Sequence, residues 1–213
     1  MVKTLRKRYL LIKRGLDLTF SILVIGGILS WLLPILAVLI KLDSRGPVFF
    51  LQRRIGRGGR VFTCYKLRSM VVNGHADEHP ASENDSRITV IGKFLRTSHL
   101  DELPQFLNVL FGQMSLVGPR PYMIKDNHRF SVLVAGHGFR NYVKPGITGL
   151  SQVKGYHGTG MDFQTIFSRH QWDSFYVRNA SLSLDMRILR ATLSEALRGT
   201  TRIFFTQKIG AWR

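Results

Sequence analysis

Residues 18–40 constrain this chain more than any other segment. They read LTFSILVIGGILSWLLPILAVLI, a run of 23 residues without an ionisable side chain. As a straight α-helix the run would span about 34 Å, against about 30 Å for the hydrocarbon core of a bilayer. It is also longer than the apolar part of a signal peptide, and no small-residue cleavage site precedes Lys41 and Asp43. We therefore expect these residues to enter a membrane, and a helix buried in a soluble core is the least favoured alternative.

The residues flanking this segment give no direction of insertion. Six basic side chains lie on each side when the downstream flank is counted to residue 60. By the positive-inside rule neither end should cross, which favours a re-entrant hairpin with both ends in the cytoplasm. Pro34 removes a helical hydrogen bond and Gly26 and Gly27 loosen the helix, so we place the membrane break at Pro34. Because spanning helices also tolerate proline, a spanning helix stays open as an equal alternative from these residues alone.

Charge and cysteine content narrow the class of protein. The formal net charge is +18, and residues 1–60 hold 12 basic and 2 acidic side chains, which is more than half of the excess. With 45% hydrophobic residues the chain is not a disordered polycation. Its partner should be an anion: a nucleic acid, an anionic lipid or a phosphate-bearing substrate. Cys64 is the only cysteine, which excludes an intrachain disulfide and a cysteine-based zinc site and fits a reducing compartment.

The rest of the chain reads as a small mixed domain. We predict a mixed α/β, mostly helical fold. A re-entrant membrane segment of the form helix-break-helix precedes a small cytoplasmic α/β catalytic domain. The boundaries are 1–45 for the basic N-terminus and hairpin, 46–198 for the catalytic domain and 199–213 for a basic amphipathic tail. The local predictions are strands at 48–52 and 61–70, a polar loop at 73–87, a largely helical stretch at 87–110, loops at 115–121 and 144–149, and a helix at about 184–197. The segment RRIGRGGR between the two strands is either a hairpin turn that faces an anion or, as is more common, a solvated basic loop.

Two sets of charged residues carry the candidate chemistry. Lys66 and Arg68 share one face of a strand, where they could grip a phosphate or simply face water. Asp101 and Glu102 are adjacent in a chain with only 13 acids. Taken alone they fit a helix cap that begins at Ser98. Near spare cations, a carboxylate can instead be a nucleophile at phosphorus or a magnesium ligand.

Five ordered motifs resemble those of the monotopic phosphoglycosyl transferases, the bacterial sugar transferase family. The similarity covers roughly residues 13–197. The motifs are the apolar segment before Pro34, the strand ending KLRSM at 66–70, RTSHLDELPQ at 96–105, SLVGPRP at 115–121 and KPGITGLSQV at 144–153.

The resemblance implies a membrane enzyme of phosphosugar transfer. Such an enzyme moves a phosphosugar from a nucleoside diphosphate sugar, usually a UDP-sugar, to a polyprenyl phosphate such as undecaprenyl phosphate, and releases UMP. It implies Mg²⁺ as cofactor and residence at the cytoplasmic face of the bacterial inner membrane in a re-entrant arrangement. Anionic lipids would then account for the charge around the hairpin, and a homo-oligomer stays open. A nucleic-acid partner is not expected, and a membrane-anchored basic scaffold without catalysis is the alternative.

The resemblance also implies residue roles. Asp101 would be the nucleophile that forms a phosphosugar–aspartate intermediate, and Glu102 would help to bind Mg²⁺ or handle the proton. The residues assigned to substrate phosphates are Lys66, Arg68, Arg96 and Arg120. The residues assigned to a nucleotide or sugar loop are Lys144, Thr148, Lys154 and His157.

Some positions depart from the family pattern. Leu33 stands where serine often precedes the proline, and an arginine common after Val153 is missing, so that Lys154 or His157 would have to replace it. Asp173 and Asp185 match a family stretch, with structural pairing to Arg178 or Arg187 as one interpretation.

Overall fold

Helices make up most of the computed structural model, which describes residues 7–72, 85–156 and 162–210, with side chains described up to residue 196. The first helical unit consists of α1 (Lys7–Val24), a π-helical turn (Ile25–Leu29) and α2 (Ser30–Asp43). The elements of the segment predicted as the catalytic domain follow in this order: β1 (Phe49–Ile55), β2 (Val61–Leu67), α3 (Val90–Thr97), a 3₁₀ turn (Leu100–Glu102), α4 (Gln105–Leu110), β3 (Ser115–Val117), α5 (Ile124–Leu133), a 3₁₀ segment (His137–Tyr142), β4 (Gly146–Thr148), α6 (Leu150–Val153), α7 (Phe163–Asn179) and α8 (Leu182–Gly210).

The apolar segment lies within one helical unit of 37 residues, the one helix among the described residues that is long and apolar enough to cross a membrane. Pro34 lies inside α2 and does not end it, so the placement of the break at Pro34 needs correction. The helix instead widens one turn upstream, where the Ser30 amide donates to the Ile25 carbonyl in a π-type bond. Proline disturbs the helical turn that precedes it, which explains why the irregular turn lies upstream of Pro34.

Side chains satisfy carbonyls in the widened turn. Ser30 Oγ donates to the Gly26 carbonyl at 2.6 Å, and Trp31 Nε1 donates to the Gly27 carbonyl at 2.8 Å. In hydrocarbon an unsatisfied carbonyl costs several kcal/mol, so these donors stabilise the irregular turn.

The two ends of this helical unit both contact the catalytic domain. At the first end, Lys13 Nζ donates to the Val117 carbonyl at 2.9 Å and Asp17 accepts from the Leu116 amide at 2.9 Å. At the other end Leu36 and Ile40 are buried in a cluster with Leu67 and Leu95. Between these ends the helix is largely uncovered and exposes large apolar side chains: Phe20, Ile22, Leu23, Ile28, Trp31 and Ile35.

β1 and β2 form the predicted antiparallel hairpin, with Phe49 opposite Leu67 and Ile55 opposite Val61. Gly58 and Gly59, both at positive φ, make the turn that joins them. β1 continues three residues beyond the predicted strand and so brings Arg54 into the hairpin. The alternating pattern was sufficient here because the pairing is local.

The stretch at 87–110 is largely helical as predicted, but it is not one element. It is divided into α3, the 3₁₀ turn and α4 because His99 adopts a left-handed conformation with φ of 57°. Ser98 does not cap the following turn: its hydroxyl donates back to the Phe94 carbonyl at 2.7 Å, which completes the end of α3. The capping interpretation of Asp101 is therefore also wrong.

Two segments predicted as loops contain a parallel strand pair. β3 and β4 align Ser115 with Gly146 and Val117 with Thr148. Their close contact needs glycine, since a Cβ at Gly146 would lie 2.1 Å from the Gly118 nitrogen. Strands of three residues are too short to show alternation, and Gly and Pro residues flank both of them, which is why the sequence pattern indicated loops.

A cluster of Leu116, Val117, Leu150, Tyr176 and Ile188 fixes this small sheet against α6, α7 and α8. The C-terminal helix is longer than predicted, since α8 runs to Gly210 and includes most of the segment assigned to a separate tail. Residues 73–84, which contain most of the predicted polar loop, lie outside the described residues.

Candidate active site

A cleft of about 680 Å³ opens between the β1–β2 hairpin, the 3₁₀ turn at 100–102 and the start of α5. Five of the six residues that the sequence assigned to catalysis or phosphate binding line it: Lys66, Arg68, Arg96, Asp101 and Arg120. The sixth, Glu102, contacts two of them. The left-handed His99 starts the turn that carries Asp101 and Glu102.

Glu102 is neutralised by two cations. Its Oε1 accepts from Lys66 Nζ at 2.6 Å and from Arg120 Nη2 at 2.7 Å, and its Oε2 accepts from Arg120 Nη1 at 3.4 Å. Burial alone would raise the pKa of this carboxyl, but Arg120 and Lys66 outweigh that effect and hold the pKa well below its usual range. Glu102 is therefore a fixed anion that positions Lys66 and Arg120 in the cleft wall.

Asp101 has the opposite environment. Its residue is 8% exposed, and within residues 7–72, 85–156 and 162–196 its carboxylate accepts no hydrogen bond and forms no ion pair. Burial raises its pKa, an effect that the charge of Lys66 partly offsets. A poorly solvated carboxylate without donors is available as a nucleophile or a ligand.

Arg96 is a second available group. In the described part of the chain its guanidinium contacts only Met70 Sδ, at 3.9 Å. It lines the cleft and acts electrostatically on Asp101. An uncommitted guanidinium beside an open carboxylate can hold phosphate oxygens in two-point contact.

Arg68 lines the cleft but its guanidinium is committed elsewhere. It donates to the carbonyls of Ile40 at 3.2 Å, Ser44 at 2.6 Å and Arg45 at 2.5 Å. These carbonyls lie at the C-terminal end of α2 and just beyond it, and a cation there is also favoured by the helix dipole. Gly46 leaves room for the contact, since a Cβ there would lie 2.1 Å from Nη1. The structure thus gives Arg68 a contact with the membrane helix that the sequence did not indicate.

Three of the four residues predicted for a nucleotide or sugar loop, Lys144, Thr148 and Lys154, do not line the cleft. Thr148 Oγ1 is 2.7 Å from Thr192 Oγ1 in the interior, and Lys154 Nζ lies over the Trp172 ring at 5.1 Å. Lys144 is close to Gly112 and Arg14, and burial lowers its pKa. His157 lies outside the described residues. Ser151 and Tyr156 of the same region line the cleft instead.

Asp173 and Asp185 are structural, but with other partners than the two arginines considered from the sequence. Asp173 Oδ2 lies 2.8 Å from Arg140 Nη2, and both side chains are buried. Arg140 also donates to the Arg120 carbonyl at 2.5 Å, which fixes the backbone behind Arg120. Asp185 accepts from Lys13 Nζ at 2.8 Å and so attaches α1 to α8.

Sequence reasoning missed several groups in the cleft: Arg54, Arg87, Tyr122, Asp126 and Arg169. Arg54 could have been found, because the period of two places residues 50, 52 and 54 on one strand face, and Phe50 pairs with Lys66. Asp126 and Arg169 come from helices distant in sequence, and no local pattern marks them.

The donor atoms fit a magnesium ion that bridges protein and substrate. No group of three or more His, Cys, Asp or Glu side chains that could hold a metal occurs among the described residues. Mg²⁺ is commonly held by one or two carboxylates together with substrate phosphates, so the open carboxylate of Asp101 satisfies the requirement. Glu102 is a weaker ligand than predicted because two cations already occupy it.

Comparisons with known proteins agree with the motifs. The family described as bacterial sugar transferase matches residues 8–199. The chain is 44% identical over 198 residues to a UDP-glucose:undecaprenyl-phosphate glucose-1-phosphate transferase of Xanthomonas campestris pv. campestris, which covers 90% of this chain and 40% of that protein. It is 43% identical over 182 residues to a protein of the same name from Klebsiella pneumoniae, with coverage of 85% and 39%.

A shorter relative matches almost end to end. The exopolysaccharide production protein PSS of Rhizobium leguminosarum bv. phaseoli is 42% identical over 199 residues, which is 89% of this chain and 98% of that protein. The chain thus spans about two fifths of the length of the two larger relatives and nearly all of this one.

Proposed function

Because this chain belongs to the bacterial sugar transferase family, we propose that it transfers a phosphosugar from a nucleoside diphosphate sugar to a polyprenyl phosphate. The donor is a UDP-sugar and the acceptor undecaprenyl phosphate, since the names of the similar proteins contain both. The product would be the first lipid-linked intermediate of a polysaccharide or glycoconjugate.

The observation that supports this function is the contrast between Asp101 and Glu102. One carboxylate is open to a cleft lined by cations, and the other is held by two of those cations. A cleft that binds a diphosphate needs cations, and covalent transfer needs one nucleophile that they do not occupy.

The proposed reaction consists of two successive displacements at one phosphorus atom. Asp101 Oδ attacks the sugar-bearing phosphorus, and the bond from that phosphorus to the bridging oxygen breaks, so that UMP leaves with the electron pair. An oxygen of the polyprenyl phosphate then attacks the same phosphorus, and the aspartyl–phosphorus bond breaks. The second step regenerates the carboxylate and yields a polyprenyl diphosphate sugar.

The cations of the cleft have separate tasks in this scheme. Arg96 is free to hold the phosphate under attack, whereas Lys66 and Arg120 are positioned by Glu102 and stabilise developing charge. Mg²⁺, when bound through Asp101 and substrate phosphates, would neutralise charge on the diphosphate.

The arrangement of the apolar helix supports a re-entrant rather than a spanning membrane segment. Both of its ends contact the same domain, through Lys13 and Asp17 at one end and Leu36 and Ile40 at the other. A helix with both ends on one polar domain cannot place them on opposite sides of a bilayer. The domain would then lie on the cytoplasmic face, where its basic flanks meet anionic lipid.

Exposure to UDP-glucose or another UDP-sugar tests the proposed nucleophile. The intact wild-type protein should gain the mass of one phosphosugar and release UMP, whereas Asp101→Asn should form no adduct and lose about 10³-fold or more in rate. Asp162→Asn is the matched control, because Asp162 is an acid outside the cleft at the start of α7. Release of UMP by Asp101→Asn at the wild-type rate would exclude Asp101 as nucleophile.

A further inference from the structure

The cleft contains a second carboxylate that the proposed transfer does not use. Among the residues that line it, Asp101 and Asp126 are the two acids, beside seven cations: Arg54, Lys66, Arg68, Arg87, Arg96, Arg120 and Arg169. Asp126 lies half-buried in the first turn of α5. A second negative charge repels phosphate oxygens, so it does not serve a cleft that recognises phosphate alone.

Asp126 and Asp101 lie in different parts of the cleft. The 3₁₀ turn that carries Asp101 is joined to β2 through the ion pair of Glu102 with Lys66, whereas the start of α5, which carries Asp126, is joined to β1 by the bridge between Arg54 and Met123. Arg54 also donates to the Pro121 carbonyl just before α5, so its guanidinium lines the cleft on the side of Asp126. The cleft therefore continues beyond the phosphate-binding cations to a region where a carboxylate faces the substrate.

Asp126 is open to hydrogen bonds from a ligand. No group in the described part of the chain donates a hydrogen bond to its carboxylate. Two of its charged neighbours have acceptors of their own: Arg54 donates to Gln52 and to the Pro121 carbonyl, and Arg169 Nε donates to the Tyr156 carbonyl at 3.0 Å. Burial raises the pKa of Asp126 because it disfavours the charged carboxylate. Hydrogen bonds from hydroxyl groups of a ligand would stabilise that charge.

We propose that Asp126 recognises vicinal hydroxyl groups of the nucleotide-sugar donor. This inference rests on the proposed function and concerns the neutral part of the same substrate. A carboxylate accepts two hydroxyl hydrogen bonds at once, as acids do with ribose in dinucleotide-binding folds. The donor offers such a diol on each side of its diphosphate, on the ribose and on the transferred sugar. Asp126 would then determine which donor is accepted, while the cations bind what all donors share.

Calorimetric titration of the full chain in detergent tests this assignment, with Asp101→Asn present in every protein compared, the wild-type reference included, so that UDP-glucose binds without reacting. The ligands are UDP-glucose and inorganic pyrophosphate, which has no hydroxyl groups. Asp126→Asn should weaken UDP-glucose binding about 10- to 100-fold, because hydrogen bonds to a charged acceptor are lost. Pyrophosphate binding should stay the same or become tighter, since a negative charge has been removed from the cleft. Asp162→Asn, which neutralises an acid at the start of another helix, should bind both ligands as the wild type does.

Two results would overturn the assignment. If Asp126→Asn binds UDP-glucose as tightly as the wild type, Asp126 makes no contact with the donor. If it weakens both ligands equally, Asp126 acts only through the folding of α5. Wild-type protein that binds neither UDP-glucose nor another UDP-sugar would contradict the proposed function itself and the assignment with it.

Deoxy analogues distinguish the two diols. One analogue lacks the 2-hydroxyl of glucose and the other lacks the 2′-hydroxyl of ribose. The analogue without a hydroxyl that Asp126 accepts should show a smaller affinity difference between wild type and Asp126→Asn, whereas the other should retain the full difference. If both analogues retain the full difference, Asp126 accepts neither the 2-hydroxyl of glucose nor the 2′-hydroxyl of ribose, and the assignment to the diols that contain them is wrong.

Discussion

Asp101 and Glu102 are neighbours in the sequence, yet folding gives them opposite electrostatic environments. Glu102 accepts three hydrogen bonds from two cations, and Asp101 accepts none within the described residues. The family resemblance assigned different roles to the two acids, but the residues alone did not show the physical basis of the difference, which depends on Lys66 and Arg120 from other elements. Stability should therefore respond in opposite directions when each charge is removed.

At neutral pH, Asp101→Asn should raise the free energy of unfolding by about 1 kcal/mol, or about 2–4 °C in Tm, because it removes a poorly solvated charge. Glu102→Gln should lower the free energy of unfolding, because Lys66 and Arg120 lose their anion. The loss should be limited to about 1–2 kcal/mol, since both cations are partly exposed to solvent. The folded-state pKa of Asp101 is raised, so its protonation favours folding and that contribution is lost as pH rises through the folded pKa.

The gain from Asp101→Asn should accordingly shrink as pH falls through this raised pKa. Thermal unfolding in detergent over a pH series measures both variants. A drop in Tm for Asp101→Asn at neutral pH would show that Asp101 is stabilised by partners in the fold.

Among the elements, those built from neighbouring residues were predictable and those that depend on distant partners were not. The β1–β2 hairpin follows from local alternation and its glycine turn. The pairing of β3 with β4 joins residues about 30 positions apart, and the left-handed His99 interrupts a stretch whose apolar spacing is helical. Arg68 illustrates the same limit within the site. The strand predicted at 61–70 ends at Leu67, so Arg68 lies just after β2 and not on the strand with Lys66, and its carbonyl partners at the end of α2 were not predictable.

Arg68→Lys separates the two roles that Arg68 can have. A lysine ammonium is a single donor atom and cannot occupy the separate positions of Nη1 and Nη2, so we expect the free energy of unfolding to fall by about 2–3 kcal/mol. The KM for the UDP-sugar should change little in the folded fraction. Arg96→Lys is the control, since Arg96 lines the same cleft but has no such carbonyl contacts among the described residues. For Arg96→Lys, the KM should rise and the Tm should stay unchanged. An unchanged Tm with a raised KM for Arg68→Lys would instead favour the phosphate-binding role that the family resemblance implies.

At the scale of the whole molecule, polar and apolar contacts fix the two ends of the membrane helix in different ways. Lys13, Arg14 and Asp17 form a polar seam with backbone groups of β3 and α4 and with Asp185 of α8. The other end is held by apolar packing of Leu36 and Ile40 and by Arg68. The apolar middle exposes large side chains although the chain has a net charge of +18, which is consistent with contact between this segment and lipid. The equal basic flanks left a re-entrant and a spanning helix open, and the contacts at both ends support the proposed re-entrant arrangement.

Labelling of single cysteines in oriented membrane vesicles tests the arrangement directly. Cys64 is buried and should stay silent towards a membrane-impermeant maleimide. Arg8→Cys and Arg60→Cys place thiols at exposed positions before and after the apolar segment. Both should react from the same side, because each end of the helix is attached to one domain. Trp31→Cys, in the exposed apolar middle, should react from neither side until detergent is added. Reaction of the first two from opposite sides would show that the helix spans the bilayer, and the contacts of either Lys13 or Ile40 with the domain would then have to break in the membrane.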